Sequence, residues 1–150
     1  MTGTIPKDPR SAGHHVREER HMAQIKIYGN RAHLEKQRQA LSDAIHACMM
    51  EALALPPEKR FHRFLPLERE DFIYPDDRSE RYTIIEISMF AGRSVEAKKR
   101  LIRLLFARLE NACGIAPNDV EITITETPRA NWGIRGLPGD ELGLSYPVIV

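Results

Sequence analysis

Two long helical patterns, each set between stretches of strand character, constrain this chain more than any other feature. Residues 31–54 place Leu34, Leu41, Ile45, Cys48, Ala52 and Leu53 on one apolar face. Residues 95–112 do the same with Leu101, Ile102, Leu105, Leu109 and Ala112. A short alternating segment, QIKIY at 24–28, precedes the first helix, with Ile25 and Ile27 facing one way. A stronger one, YTIIEISMF at 82–90, precedes the second, with Ile85, Ile87 and Met89 on one side. A short strand near 61–65 follows the first helix, and DVEITITET at 119–127 follows the second. The order predicts an α+β fold: two fused β-α-β units forming a two-layer subunit, a sheet with helices on one face. The uncovered sheet face predicts self-association.

Local signals mark the boundaries. Asn30 is expected to cap the first helix, and Pro56-Pro57 to end it. Ser94 is expected to cap the second, with Glu96 near its positive end, Gly114 closing it and Pro117 preventing resumption. Turn chemistry is expected at Pro138-Gly139, and the apolar tail that includes Pro147 as an edge strand or an arm on a neighbour. Residues 1–22 show no helical or strand period and read as a disordered or mis-assigned extension ahead of a folded domain at 23–150.

Composition narrows the function classes. Lys plus Arg total 22 and Asp plus Glu 21, a net charge of +1, which disfavours a nucleic-acid partner. No apolar run approaches the ~18–20 residues of a membrane span, and no signal-peptide core follows Met1, so a cytoplasmic protein is expected. Cys48 and Cys113 read as small buried hydrophobes. No histidine or cysteine spacing suits a metal, and no P-loop, GxGxxG or GxSxG is present.

Several residues carry candidate chemistry. Arg93 follows the strongest strand and precedes a helix N-terminus, where a guanidinium can grip a carboxylate bidentately. The competing reading is a surface arginine in a turn. Arg60, His62 and Phe64 fall on one side by alternation, and His62 can titrate near neutrality. Trp132 and Arg135, in NWGIRG, can line a pocket rim or, for the tryptophan, simply pack.

Residues 22–150 resemble the tautomerase superfamily in its longer-subunit branch, the malonate semialdehyde decarboxylase-like and cis-3-chloroacrylic acid dehalogenase-like members. The segments that carry the resemblance are AQIKIYG at 23–29, LPPEKRFHRF at 55–64, RYTIIEISMFAGRSVEAKKRLIRLLF at 81–106, NACGIAPNDVEITITETP at 111–128 and NWGIRG at 131–136. The resemblance implies a homotrimer, no cofactor, and a carboxylate-binding arginine in a GRS context, matched by Arg93. It also implies an N-terminal proline acting through its amine, and here Ala23 stands in that place. The acidic partner of the decarboxylase-like members falls near Lys59 and their second arginine on Ala91. The extra arginine of the dehalogenase-like members falls on Phe90 and their tyrosine on Thr123.

Residue pattern and resemblance together lead to the expectation of a tautomerase-like isomerase of a small 2-oxo or enol carboxylic acid. Arg93 would hold the carboxylate and the Ala23 amine would move the proton. Arg60 or His62 would polarise the developing enolate. This chemistry needs Ala23 to be a free terminal residue, because an internal amide nitrogen is not basic. The alternative is an inactive trimer of the same fold that binds small carboxylates or is purely structural.

Overall fold

The computed structural model describes residues 22–142. Residues 1–21 of the expected prefix and the final apolar tail lie outside the described residues. Strand β1 spans Ala23–Asn30, helix α1 Arg31–Leu53, β2 His62–Leu67, β3 Thr83–Phe90, α2 Val95–Cys113 and β4 Val120–Thr127. A small hairpin, β5 Gly133–Ile134 and β6 Leu137–Pro138, follows.

The main sheet has the order β2-β1-β3-β4. β1 and β2 are parallel, β3 and β4 are parallel, and the two pairs meet where β1 runs antiparallel to β3. Each helix therefore connects two parallel strands, as a crossover must, and the chain is a β-α-β unit used twice. Ile25, Ile27, Ile85, Ile87 and Met89 face both helices and share one core with Leu34, Leu41, Ile45, Met49, Leu101, Leu105 and Leu109. Cys48 and Cys113 are both buried and free. On the opposite face Lys26, Tyr28, Glu86 and Ser88 are half-buried, and Glu121 and Thr123 are exposed. That face carries polar side chains and no helix packs on it among the described residues. No helix among the described residues is long and apolar enough to cross a membrane.

The two helix starts differ from each other. Ser94 Oγ accepts from the Ala97 N–H at 3.1 Å, the expected cap. Asn30 makes no such bond: its Nδ2 donates to Tyr74 Oη and to the Glu80 carbonyl, both at 2.9 Å. A long-range anchor has replaced the local one. At the other ends, Gly114 takes a left-handed φ of 65° as expected, and Ala54 takes φ 55° ahead of Pro56. Pro66 lies in β2, which is an edge strand and tolerates the missing donor. The hairpin reverses at Arg135-Gly136, with φ 50° and 87°, rather than at Pro138-Gly139. Gly139 instead opens a 3-10 turn, where an added Cβ would lie 2.7 Å from the Arg129 carbonyl oxygen and 3.0 Å from Phe90 Cζ.

Candidate active site

Arg93 stands in the turn between β3 and α2. Gly92, at φ 123°, takes the backbone where a side chain is disfavoured. The turn is tied down from β4: Glu126 accepts from the Gly92 and Arg93 backbone N–H groups and from Lys98 Nζ at 2.6 Å. These donors, the lysine foremost, hold the Glu126 carboxyl below its ordinary pKa. The Arg93 guanidinium is half-buried and donates to the Leu53 carbonyl at 3.0 Å, at the negative end of α1. Burial, and secondarily the charge of Arg129, lower its pKa from the ordinary arginine value. An arginine remains a cation under such pressure.

Ala23 lies at the same end of the sheet, paired with Met89 across the β1–β3 ladder and only 3% exposed. The residue before it is part of the fold. Met22 is buried and its carbonyl accepts from the Phe90 N–H at 3.3 Å. In the described chain the Ala23 nitrogen is thus a peptide amide.

Phe90 organises the remaining groups. The Trp132 ring stands edge-on to it, with centroids 5.2 Å apart and planes at 86°. The Arg129 guanidinium carbon lies 5.6 Å from the Phe90 ring centroid. Arg129 begins the 3-10 turn just after β4, and Ala91 N–H donates to Thr127 O beside it. Arg93, Arg129, Trp132 and Ala23 are therefore gathered where β3 and β4 leave the sheet and β1 enters it.

The structure does not bring Arg60 and His62 to that group. Register puts His62 and Phe64 beside Ile25 and Ile27, on the helix face, while Arg60 precedes the strand. His62 Nδ1 is 2.8 Å from Ser42 Oγ, and Arg60 binds Asp43 at 2.6 Å. Along α1, Ser42 is about 16 Å from Leu53, the residue that holds Arg93. Burial first, then His46 and Arg60, push the His62 pKa down to about 4. The expected titration near neutrality is corrected: a histidine buried under a helix, beside the Arg60 cation, is neutral there. Arg135 sits at the exposed hairpin tip, where Trp132, Ile134 and Leu137 help line an open cavity of about 440 Å³. A cavity of about 500 Å³ lies among Phe72, Tyr74, Arg78 and Glu80, in the segment that joins the two units.

Sequence reasoning missed Arg129, Glu126 and Lys98. The available signal was positional: Glu126 and Arg129 end the strand that runs parallel to the one ahead of Arg93.

A doubled β-α-β subunit with an arginine past its central strand and its first strand beginning beside it defines a tautomerase-fold protein. The chain belongs to the tautomerase enzyme family, whose family model matches residues 59–135. It is 29% identical over 97 residues to the probable tautomerase YrdN of Bacillus subtilis (strain 168), covering 61% of this chain and 74% of that protein. The FG41 malonate semialdehyde decarboxylase inhibited by 3-bromopropiolate superposes with a TM-score of 0.70 at 30% identity, covering 83% of this chain and 99% of that one. A fused 4-OT wild-type asymmetric trimer, 18% identical, shares the fold at a TM-score of 0.71 over 80% of this chain and 98% of its own. The homologues support isomerase activity of the tautomerase type in general.

Proposed function

We propose that this protein is a cofactor-independent tautomerase acting on a small 2-oxo or enol carboxylic acid. The observation that carries the reading is Arg93: a half-buried cation held by Leu53 O and by a turn that Glu126 fixes, next to the first residue of β1. The guanidinium binds the substrate carboxylate through its fork of N–H donors. In a form of the chain that begins at Ala23, the α-amine is the proton shuttle. Its reference pKa of ~7.7–8.0 suits abstraction of an acidic proton next to a carbonyl, and a free base at that place returns the proton to the other end of the enolate. Trp132, edge-on to Phe90, stands at the same end of the sheet. The fused 4-OT trimer, which shares the fold, and the uncovered sheet face support assembly as a homotrimer.

The Met22 carbonyl bonded to Phe90 N–H favours a second reading, a carboxylate-binding protein without turnover. Intact mass and an assay with an enolisable aryl pyruvate separate the two. Protein beginning at Ala23 that turns the compound over, and loses this in Arg93→Ala, carries the first reading. Protein that retains Met22 and shows no turnover sinks the terminal-amine mechanism.

A further inference from the structure

We propose that His46 and His62 form a proton-operated clasp on the connection between α1 and β2, closed while both rings are neutral and opened by acid. This is a device beyond the proposed reaction, and its test needs no substrate.

The connection, residues 54–61, is thinly held by its own backbone. Ala54 N–H and Leu55 N–H donate back to Met50 O and Met49 O at 3.0 and 3.4 Å. Lys59 N–H closes a turn on Pro56 O at 3.0 Å, and Phe61 O accepts from Ile25 N–H at 2.9 Å. Pro56 and Pro57 bring no N–H. A side chain of α1 holds the middle: His46 Nε2 lies 2.9 Å from Pro57 O. A carbonyl only accepts, so Nε2 carries the hydrogen, and a neutral ring then leaves Nδ1 bare. His46 is 1% exposed, and that Nδ1 meets no hydrogen-bond partner among the described residues. The bond closes a loop that contains Leu53, whose carbonyl holds Arg93.

His62 completes the pair. Its ring stands edge-on to that of His46, with centroids 6.1 Å apart. Its Nδ1 is 2.8 Å from Ser42 Oγ, to which Arg60 Nη1 donates at 3.4 Å. The serine hydrogen is thus left for His62 Nδ1, which must be unprotonated to accept it.

The surrounding charges oppose a proton on either ring. Arg60 faces both as a cation. Asp43 faces them too, but it already accepts from Arg60 at 2.6 Å and from Gln39 at 3.0 Å. β1 brings Ile25 beside His62, and α2 turns Arg100 and Arg108 to Glu51. Arg63 of β2 donates to Gln24, and Glu58 and Lys59 of the connection have interactions of their own. A protonated His46 would bury a second N–H without an acceptor, next to a ring of the same kind. Water reaches the pair when the connection lifts, and there a free histidine takes a proton below about pH 6.5. Each ring therefore favours the closed form above that pH and the open form below it.

Amide hydrogen exchange of the full chain, corrected for the intrinsic rate at each pH, tests the clasp. Each histidine should multiply the open population about tenfold between about pH 7.5 and about pH 5.5. The amides of Ala54, Leu55 and Lys59 should thus open on the order of tenfold to 100-fold more at the lower pH, relative to those of α2. His46→Gln keeps a donor for Pro57 O, His62→Asn keeps an acceptor for Ser42, and neither new side chain titrates. Each substitution should remove about tenfold of the response, and the two together should flatten it. Opening that does not change with pH in the wild type, or a response that survives in the double variant, overturns the clasp. If the variants fail to fold, proton NMR of the wild type decides. Two of the six histidine rings should titrate well below the others, whereas six rings titrating together near about pH 6.5 would overturn it.

Discussion

The junction at Asn30-Arg31 and the junction at Gly92-Arg93-Ser94 are equivalent turns of the two β-α-β units. Because β1 and β3 are antiparallel, they lie at opposite ends of the sheet. The first is closed by contacts made for stability. Asn30 reaches Tyr74 and Glu80, Arg31 reaches Glu68, and Tyr74 packs with Phe72 and Tyr82 at ring separations of 5.0 and 5.1 Å. The second commits its nearby acid, Glu126, to Lys98 and to holding the backbone, and its arginines bind a carbonyl and an aromatic ring instead: Arg93 donates to Leu53 O and Arg129 lies over Phe90. Two copies of one architecture thus differ in where carboxylates were placed. That placement, and not the fold, separates a structural turn from a candidate site.

The largest break in this comparison is functional. Arg93→Ala is expected to lower kcat/KM for an enolisable aryl pyruvate by on the order of 100-fold, the cost of removing a desolvated charge partner. Arg31→Ala, at the equivalent junction, should leave turnover within about twofold, since it belongs to the exposed set of ion pairs. Equal losses in the two variants would mean that the two ends are not specialised.

The next effect concerns stability and runs the other way. Asn30→Ala strips a donor from both Tyr74 Oη and the Glu80 carbonyl, and should cost about 1–3 kcal/mol in denaturant unfolding. Ser94→Ala removes only a helix cap and should cost about 1 kcal/mol. A Ser94 variant less stable than the Asn30 variant would show that the long-range anchor at the first junction is weak.

These asymmetries explain what the sequence could and could not reveal. Strand-helix-strand order, both helices and the Ser94 cap follow from local pattern, because each depends on residues within a few positions. Arg93 was readable for the same reason: strand, glycine, arginine and cap are contiguous. Asn30 is as good a capping residue as Ser94, yet its partners lie 44 and 50 residues away, and local chemistry could not foresee them. His62 was misplaced because HRFLPL offers little contrast between its faces, and only pairing with Ile25 decides which side meets α1. Arg129 has no motif at all. Its meaning arises from β4 lying parallel beside β3 and from Phe90 being its platform, both non-local facts. The sequence marked a turn at Pro138-Gly139, whereas the hairpin reverses at Arg135-Gly136, because the pairing of Ile134 with Leu137 sets the turn.

Acid sharpens the contrast further. The folded pKa of Glu126 lies below its ordinary 4.5, so the stability its ionised form contributes is complete above that value. It is lost as pH falls through the folded pKa, when the proton competes with Lys98 and the two backbone donors. The stability gap between the wild type and Glu126→Gln should therefore be constant from neutral pH down to about 5 and shrink below it. A gap that widens on acidification would place the carboxyl on the wrong side of this balance. Because Glu126 supports the Arg93 turn, the same variant should raise KM more than it lowers kcat.

The smallest effect is expected where the most ion pairs are drawn. Arg31 and Glu68 are about half exposed, at 46% and 52%, and Arg69 and Glu80 are 81% exposed. Water and salt screen such pairs, and ordering two long side chains offsets much of the attraction. Glu68→Gln should therefore shift the melting temperature too little to resolve at physiological ionic strength, with any low-salt difference fading as salt is added. The acids at this junction, Glu68 with Glu35 beside it, offset the Arg31 charge, so an anion gains little there. Calorimetric titration with 2-oxoglutarate is the fitting measurement. A new weak binding event in Glu68→Gln, absent from the wild type, would show that carboxylate placement alone keeps the two ends apart. An unchanged titration would mean that the two ends differ in more than where carboxylates stand.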